Sequence, residues 1–113
     1  MTDQSFFPQR PDLNPMIYAY NDLNPEYEGL LKVGYTEVDV DQRVAQQYPT
    51  KRPDGLKPYR IVLRESALYP DGSSFTDREV HKILKKKDLL SAVGGEWFRC
   101  TAEDVRAAIV AVK

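Results

Sequence analysis

Ile17-Tyr18-Ala19-Tyr20 and Lys32-Val33-Gly34-Tyr35-Thr36 are the two strings that decide the fold of this chain. Both are rich in β-branched and aromatic residues, which favour strands. The turn signal Asn21-Asp22-Leu23-Asn24-Pro25 lies between them. We therefore predict strands over residues 16–21 and 30–35, paired as a hairpin across a loop longer than the tightest turns.

The remaining elements follow from hydrophobic spacing. Val40 and Val44 lie four residues apart, as do Val80 and Leu84, and this spacing predicts helices over 39–48 and 74–87. Strands are predicted over 59–63 and 96–100, and a last helix starts at a capping box over residues 101–104. The order β-β-α-β-α-β-α predicts a small α/β (α+β) sandwich, with a central, mainly antiparallel sheet of three to four strands flanked by helices.

The length and composition favour one compact domain. The chain has 113 residues, of which 42% are hydrophobic and 29% charged. No apolar run reaches the roughly 20 residues of a membrane helix, and we expect residues 1–15 not to be a signal peptide, because they lack its basic start and apolar core. A single cysteine excludes an internal disulfide and a cysteine-based zinc site. We expect a cytoplasmic protein with an irregular lead-in over 1–15 and one domain over 16–113, excised from a longer protein because its last helix ends on apolar residues.

Charge is distributed unevenly. The net charge is −1, but residues 1–50 hold 8 acidic and 3 basic residues, whereas residues 51–113 hold 9 acidic and 13 basic residues. A polyanion could dock on such a basic half; the alternative is a solvated helix face and a charged loop. The residues predicted to contact nucleic acid are Lys51, Arg52, Arg78, Lys82, Lys85 and Lys86.

Four residues in the first half could serve phosphodiester hydrolysis, which needs a positioned water, charge relief on the phosphate and a carboxylate-held cation. Tyr18 and Tyr35 lie on adjacent predicted strands, and a nearby cation, Lys32 or Arg43, could lower the pKa of a phenol. Arg43 could also clamp a phosphate. The alternatives are ordinary strand tyrosines and a surface arginine paired with Asp39.

The second half supplies the predicted carboxylate. Asp77 and His81 lie four residues apart on one helix face, where they could hold a metal ion or a water. Glu79 would lie on the other side of that helix and fits a capping box with Thr76. Gly34 allows either a close backbone approach or a positive φ angle.

Together these motifs resemble the GIY-YIG nuclease superfamily, in particular the branch named from a bacteriophage open reading frame. The resemblance runs from about Met16 to the end of the chain. It is carried by Ile17-Tyr18-Ala19, Lys32-Val33-Gly34-Tyr35-Thr36, Arg43, Asp77 with His81, and Glu96-Trp97-Phe98. This segment also resembles the domain found ahead of DEAD/DEAH-type helicase modules in restriction-like bacterial proteins.

The resemblance implies roles for particular residues. Tyr18 would orient the water or the phosphate, Gly34 would allow tight packing, Arg43 would hold the scissile phosphate, and Asp77 would bind Mg²⁺ or Mn²⁺. Tyr35 or Lys32 would assist the base step, with His81 in support. This chain departs from the superfamily at two places, because Lys32 replaces the second-motif tyrosine and Tyr35 replaces the lysine after the glycine of excision-repair relatives.

The implied function is a metal-dependent DNA endonuclease domain, serving as the N-terminal module of a restriction- or repair-type helicase protein. One alternative is a catalytically inactive nucleic-acid-binding or targeting module, and another is a domain that docks on its own helicase. The enzyme hypothesis requires Tyr18, Arg43 and Asp77 to meet. An Asp77 side chain on the opposite side of the sheet would remove the predicted hydrolytic centre.

Overall fold

The computed structural model describes residues 14–49, 53–89 and 96–113. The strands are β1 (Met16–Asp22), β2 (Leu31–Thr36), β3 (Tyr59–Ser66) and β4 (Trp97–Phe98), and the helices are α1 (Val40–Gln46), α2 (Asp77–Lys86) and α3 (Ala102–Val112). A short 3-10 turn, Pro25–Tyr27, lies between β1 and β2. The predicted order of strands and helices is confirmed.

All four strands belong to one antiparallel sheet, in the order β3-β1-β2-β4. In the hairpin register Tyr18 lies opposite Gly34, and Tyr20 lies opposite Lys32. The register of β1 against β3 shifts between Ala19 and Tyr20, which marks a bulge. The predicted α+β class and the mainly antiparallel sheet are both confirmed.

Alternation along the strands gives the sheet two different faces, because successive side chains point to opposite sides. One face, here the α2–α3 face, packs Ile17, Ala19 and Val33 against buried side chains of α2 and α3. The other face, here the α1 face, packs Tyr18 and Tyr20 against Val40 and Val44 of α1. Neighbouring residues of β1 therefore serve two separate clusters.

Side-chain caps fix where the helices begin. The carboxylate of Asp39 accepts a hydrogen bond from the Gln42 amide at the start of α1. Thr76 and Glu79 form a capping box for α2, and Thr101 and Asp104 form another for α3. Because Thr76 is the cap, α2 begins at Asp77 and not at the predicted residue 74. Glu79 is engaged at the cap, as its capping-box spacing indicated.

The segment before α2 is extended, which shortens the predicted helix. Ser74 forms an isolated β-bridge with Leu68, and the Phe75 amide donates to the Ala67 carbonyl at 2.9 Å. The last strand is likewise shorter than predicted, because only two of its residues pair with β2. Within the described ranges, no helix is both long and apolar enough to cross a membrane.

Candidate functional site

Gly34 lies directly beneath the ring of Tyr18 on the α1 face. A β-carbon built at Gly34 would collide with the Tyr18 phenol, and its distance to Cε1 would be only 2.9 Å. Gly34 has no positive φ angle. Of the two readings that the sequence left open, the structure therefore supports close packing, because only glycine lets the phenol lie flat across the strand.

The side-chain amide of Gln47, the residue that caps the end of α1, joins three side chains of the sheet. Its Nε2 donates to the Tyr18 hydroxyl at 2.9 Å, while its Oε1 accepts from the Tyr20 hydroxyl at 2.6 Å and from Lys32 Nζ at 2.7 Å. Arg43 lies one helical turn before Gln47. We name Tyr18, Tyr20, Lys32, Arg43 and Gln47 the α1-face cluster.

Burial dominates the acidity of the phenols in this cluster. It raises the pKa of Tyr18 above its ordinary value, although the hydrogen bond from Gln47 and the neighbouring Arg43 guanidinium oppose the shift. Burial also raises the pKa of Tyr20, to about 12. Arg43 acts to lower the pKa of Tyr18, as predicted, but burial outweighs this effect and the pKa is raised. At neutral pH both phenols are protonated; Tyr20 donates to Gln47, whereas Tyr18 accepts from it.

Glu96 supplies a carboxylate near this cluster. It immediately precedes β4, and one carboxylate oxygen lies 3.8 Å from Lys32 Nζ. The negative charge of Glu96 also acts to raise the pKa of Tyr18 and of Tyr20. Lys32 therefore links Gln47 on one side to Glu96 on the other.

Asp77 does not join Tyr18 and Arg43, so the predicted convergence is wrong. Asp77 starts α2, and Val80 one turn later packs on the α2–α3 face, whereas Tyr18 packs on the α1 face. The carboxylate of Asp77 acts on the pKa of Tyr35 instead. The reason is topological, because the chain crosses from one side of the sheet to the other between α1 and α2.

Tyr35 also lies away from the α1-face cluster. It is the cross-strand partner of Ile17 and packs against the core of the α2–α3 face. Its hydroxyl donates to Glu37 at 2.9 Å, and burial followed by this carboxylate raises its pKa. The two second-motif candidates therefore separate, with Lys32 in the α1-face cluster and Tyr35 on the opposite face.

His81 ties α2 to the sheet. Its Nε2 lies 2.7 Å from the carbonyl oxygen of Val33, and since a carbonyl only accepts, this nitrogen carries the proton. The ring also packs against Phe98, and a carboxylate oxygen of Asp77 lies 3.7 Å from the same nitrogen. His81 thus supports the strand between Lys32 and Gly34 and does not itself enter the α1-face cluster.

Three of the predicted nucleic-acid contacts line one cavity of about 420 Å³ beside α2. Its lining residues are Asp77, Arg78, His81, Lys82, Lys85 and Glu96. Glu96 therefore belongs both to this cavity and to the surroundings of Lys32. Lys86 is exposed at the end of α2, whereas Lys51 and Arg52 lie outside the described residues.

The family model of the T5orf172 domain matches residues 16–113. This chain belongs to the T5orf172 domain family. The match covers the whole sheet, all three helices and the α1-face cluster.

A curated protein of Mycoplasma pneumoniae is 27% identical to the T5orf172 chain over 99 residues, an alignment that covers 74% of this chain and 59% of the relative. That relative is named as the N-terminus of a proposed type II restriction enzyme and methyltransferase. The chain thus spans about 59% of the length of this curated relative. No solved structure matched the T5orf172 chain itself.

Potential metal ligands do not cluster in the part of this T5orf172 domain that the structure describes. Among the residues that the structure describes, no group of three or more His, Cys, Asp or Glu side chains is placed to hold an ion. Glu96 is the carboxylate that adjoins Lys32. Mg²⁺ is commonly bound through only one or two carboxylates, with waters and substrate phosphates completing the shell. A single carboxylate fits that mode of binding.

Sequence reasoning missed Gln47 and assigned no chemical role to Glu96. Gln47 follows Val44 by three residues and Val40 by seven, so helical spacing alone places it on the buried side of α1. Glu96 directly precedes Trp97, which pairs with Lys32. That signal depends on strand register, which the sequence did not specify.

Proposed function

We propose that this domain is a divalent-metal-dependent endonuclease that hydrolyses phosphodiester bonds of DNA. The proposal is carried by one observation, the gathering of Tyr18, Lys32 and Arg43 at one site with the Glu96 carboxylate 3.8 Å from Lys32. Two cations can relieve charge on a phosphate, a phenol can orient a water or the phosphate, and a carboxylate can hold a metal ion, so the site offers what hydrolysis of a phosphodiester needs.

Glu96 takes the metal-binding role that the sequence assigned to Asp77. It would hold Mg²⁺ or Mn²⁺ together with the phosphate of the substrate. Such an ion supplies charge neutralisation at the phosphate and lowers the pKa of bound water. Asp77 lines the cavity beside α2 with Glu96 but does not adjoin the α1-face cluster.

The side chains of the chain itself bind and orient the substrate. Arg43 donates hydrogen bonds to non-bridging phosphate oxygens, for which the planar guanidinium is well suited. Tyr18 stays protonated at neutral pH and donates its hydroxyl hydrogen to the water or to the phosphate. Lys32, which lies 3.8 Å from the Glu96 carboxylate, would place a second positive charge near the bound phosphate. In the reaction the water oxygen would bond to phosphorus as the bond from phosphorus to the leaving sugar oxygen breaks. The attacking water would give up one proton to solvent, and the leaving oxygen would take one proton from solvent.

The basic side of α2 would bind the DNA phosphates that neighbour the cleaved one. Arg78, Lys82 and Lys85 follow helical spacing and line the same cavity as Glu96. Phosphates bound there would lie next to the carboxylate of the site. At the other edge of the sheet, Arg64 is paired with Asp41 at 2.8 Å and is less suited to a phosphate.

A nicking assay on supercoiled plasmid with Mg²⁺ or Mn²⁺ tests this assignment. Arg43→Ala and Glu96→Gln should each lower the cleavage rate by about 100-fold or more, because each removes charge stabilisation in the transition state. Asp77→Asn is the matched control and should cleave within about threefold of the wild type. Equal cleavage by all variants would place the activity elsewhere, and loss in Asp77→Asn alone would reverse the carboxylate assignment.

A second candidate function is nucleic-acid binding without cleavage. It is favoured by one observation, that Tyr35 lies on the opposite face while Lys32 occupies the place of the second-motif tyrosine. Such a module would bind DNA with an affinity that falls steeply with salt. Binding that Arg78→Gln and Lys82→Gln weaken, with no metal-dependent nicking by the wild type, would establish this alternative.

We also propose that the domain acts as the N-terminal module of a larger restriction- or repair-type protein in the cytoplasm. The name of the mycoplasmal relative, which joins a restriction enzyme with a methyltransferase, supports the restriction setting. A helicase or ATPase module on the same full-length chain rests on the sequence resemblance. Sequencing the gene beyond this segment tests both parts.

A further inference from the structure

Gln47 holds a position that neither the motifs nor the family assignment explains. It lies on the same side of α1 as the buried Val40 and Val44, whereas its neighbour Gln46 is exposed. Its amide makes three hydrogen bonds of 2.6 to 2.9 Å to side chains of β1 and β2. A glutamine that served only to solubilise the helix end would face water.

The orientation of this amide is fixed by chemistry. The ammonium of Lys32 can only donate, so the atom 2.7 Å from it must be the amide oxygen. The amide nitrogen must then face Tyr18, where it donates to the phenol oxygen at 2.9 Å. Lys32 therefore determines which end of Gln47 meets Tyr18.

Tyr18 is consequently an acceptor toward Gln47, and its own hydroxyl hydrogen cannot point there. We propose that Gln47 is a positioning residue that turns the Tyr18 hydroxyl hydrogen away from the protein and toward the substrate. This inference rests on the proposed hydrolysis, because it names what the phenol offers to the water or the phosphate. The Tyr20 hydroxyl, which donates to the amide oxygen, is by contrast committed to the protein.

Other charged and titratable groups also act on Tyr18. Arg43 on α1 and Glu96 before β4 act on it with opposite signs, and Tyr20 stacks parallel to it on the same strand. Arg64, its cross-strand partner on β3, is held by Asp41. Two of these neighbours donate to the Tyr18 oxygen, Gln47 Nε2 at 2.9 Å and the Arg43 guanidinium, so the phenol is an acceptor toward both.

Gln47→Glu is the most informative variant. A carboxylate of nearly the same size can still accept from Tyr20 and Lys32, so the fold is retained, but it cannot donate to Tyr18. The Tyr18 hydroxyl would then turn to donate to that carboxylate. Gln46→Glu adds the same charge at the adjacent exposed position and is the matched control. Gln47→Leu removes all three hydrogen bonds without adding charge.

The direction of the hydroxyl affects how easily the phenol at position 18 ionises. The ionisation midpoint can be measured by ¹⁹F NMR with a fluorinated tyrosine at this position, since the phenol of a fluorinated tyrosine ionises at lower pH than that of tyrosine itself. Gln47→Glu should move the ionisation midpoint of this residue upward by about 1 pH unit or more, since a carboxylate acceptor and a lost donor both disfavour the phenolate. Gln47→Leu should move it upward by less. Gln46→Glu should leave it within about 0.3 pH units, as expected for an exposed, screened charge.

Cleavage gives the second measurement. Gln47→Glu should lower kcat by about 10-fold or more with KM within about twofold, because Arg43 and the basic side of α2 still bind the DNA. An unchanged midpoint, an equal shift in Gln46→Glu, or unchanged kcat would overturn the role of Gln47. The predicted midpoint shift in a protein whose wild type never cleaves would support the orientation of Tyr18 and refute the hydrolysis.

Discussion

The two faces of one small sheet differ in what their side chains do. On the α2–α3 face, Ile17, Ala19 and Val33 pack in an apolar core with Phe98 and Leu84. On the α1 face, the alternate positions of the same strands carry the phenols, ammonium and amide of the α1-face cluster. Alternation along a strand thus places an apolar core and a polar cluster on opposite faces of the sheet, one residue apart.

The comparison predicts that truncation on the α2–α3 face causes the largest loss of stability. Leu84 is fully buried, and Leu84→Ala should lower the free energy of unfolding by about 3 kcal/mol, from lost burial and the cavity left behind. Val110→Ala, at an exposed position of α3, is the control and should cost less than about 0.5 kcal/mol. Urea unfolding measures both, and equal costs would contradict the assigned core.

The contact between Gly34 and Tyr18 predicts the next largest effect. Gly34→Ala should lower stability by about 2 kcal/mol, because its methyl group collides with the Tyr18 ring. In a Tyr18→Ala background the same substitution should cost little. A double-mutant cycle by urea unfolding measures the coupling. A cost that is equal in both backgrounds would mean that Gly34 is required for some other reason.

Alkaline pH should weaken the α1 face selectively. The pKa of Tyr20 rises from 10.0 to about 12 in the folded protein, so its contribution is complete below pH 10 and is lost as the pH rises to 12. The loss is on the order of 2 to 3 kcal/mol. Tyr20→Phe should cost about 1 kcal/mol at pH 7 and show a shallower fall above pH 10. Parallel pH profiles of unfolding for the two proteins would refute this assignment.

Substitution of His81 should have the smallest effect on stability. It also tests directly whether the α2–α3 face takes part in cleavage. His81→Leu keeps the contact with Phe98 but loses the hydrogen bond to the Val33 carbonyl, so stability should fall by about 1 kcal/mol. Plasmid nicking should stay within about threefold of the wild type. A folded His81→Leu protein that has lost cleavage would show that chemistry extends to the α2–α3 face.

Local signals were sufficient for most of the fold. The apolar spacing of Val80 and Leu84 identified the buried side of α2, and the capping box of Thr76 with Glu79 was visible in the sequence although the helix start was predicted two residues before it. Both depend on contacts within a few residues, which the sequence displays directly. The bounds of the last strand were predicted less well, because its pairing with β2 involves distant residues.

The site was predicted only in part for the same reason. Tyr18, Lys32 and Arg43 come from the hairpin and the helix that follows it, and these do meet. Asp77 comes from α2, and a helical period shows which side of α2 faces the sheet but not which face of the sheet it covers. Glu96 was recognised as part of a motif, but its closeness to Lys32 required the register of β4.

By itself the sequence determined the order of the strands and helices, the buried side of each helix and the pairing of two tyrosine-bearing strands, because short-range periodicity and turn chemistry encode them. Only the tertiary structure decided that Tyr35 and Asp77 lie apart from Tyr18, and that Gln47 and Glu96 lie near it. Those outcomes depend on which way the chain crosses the sheet and on strand register, and both are settled by packing between residues far apart in sequence.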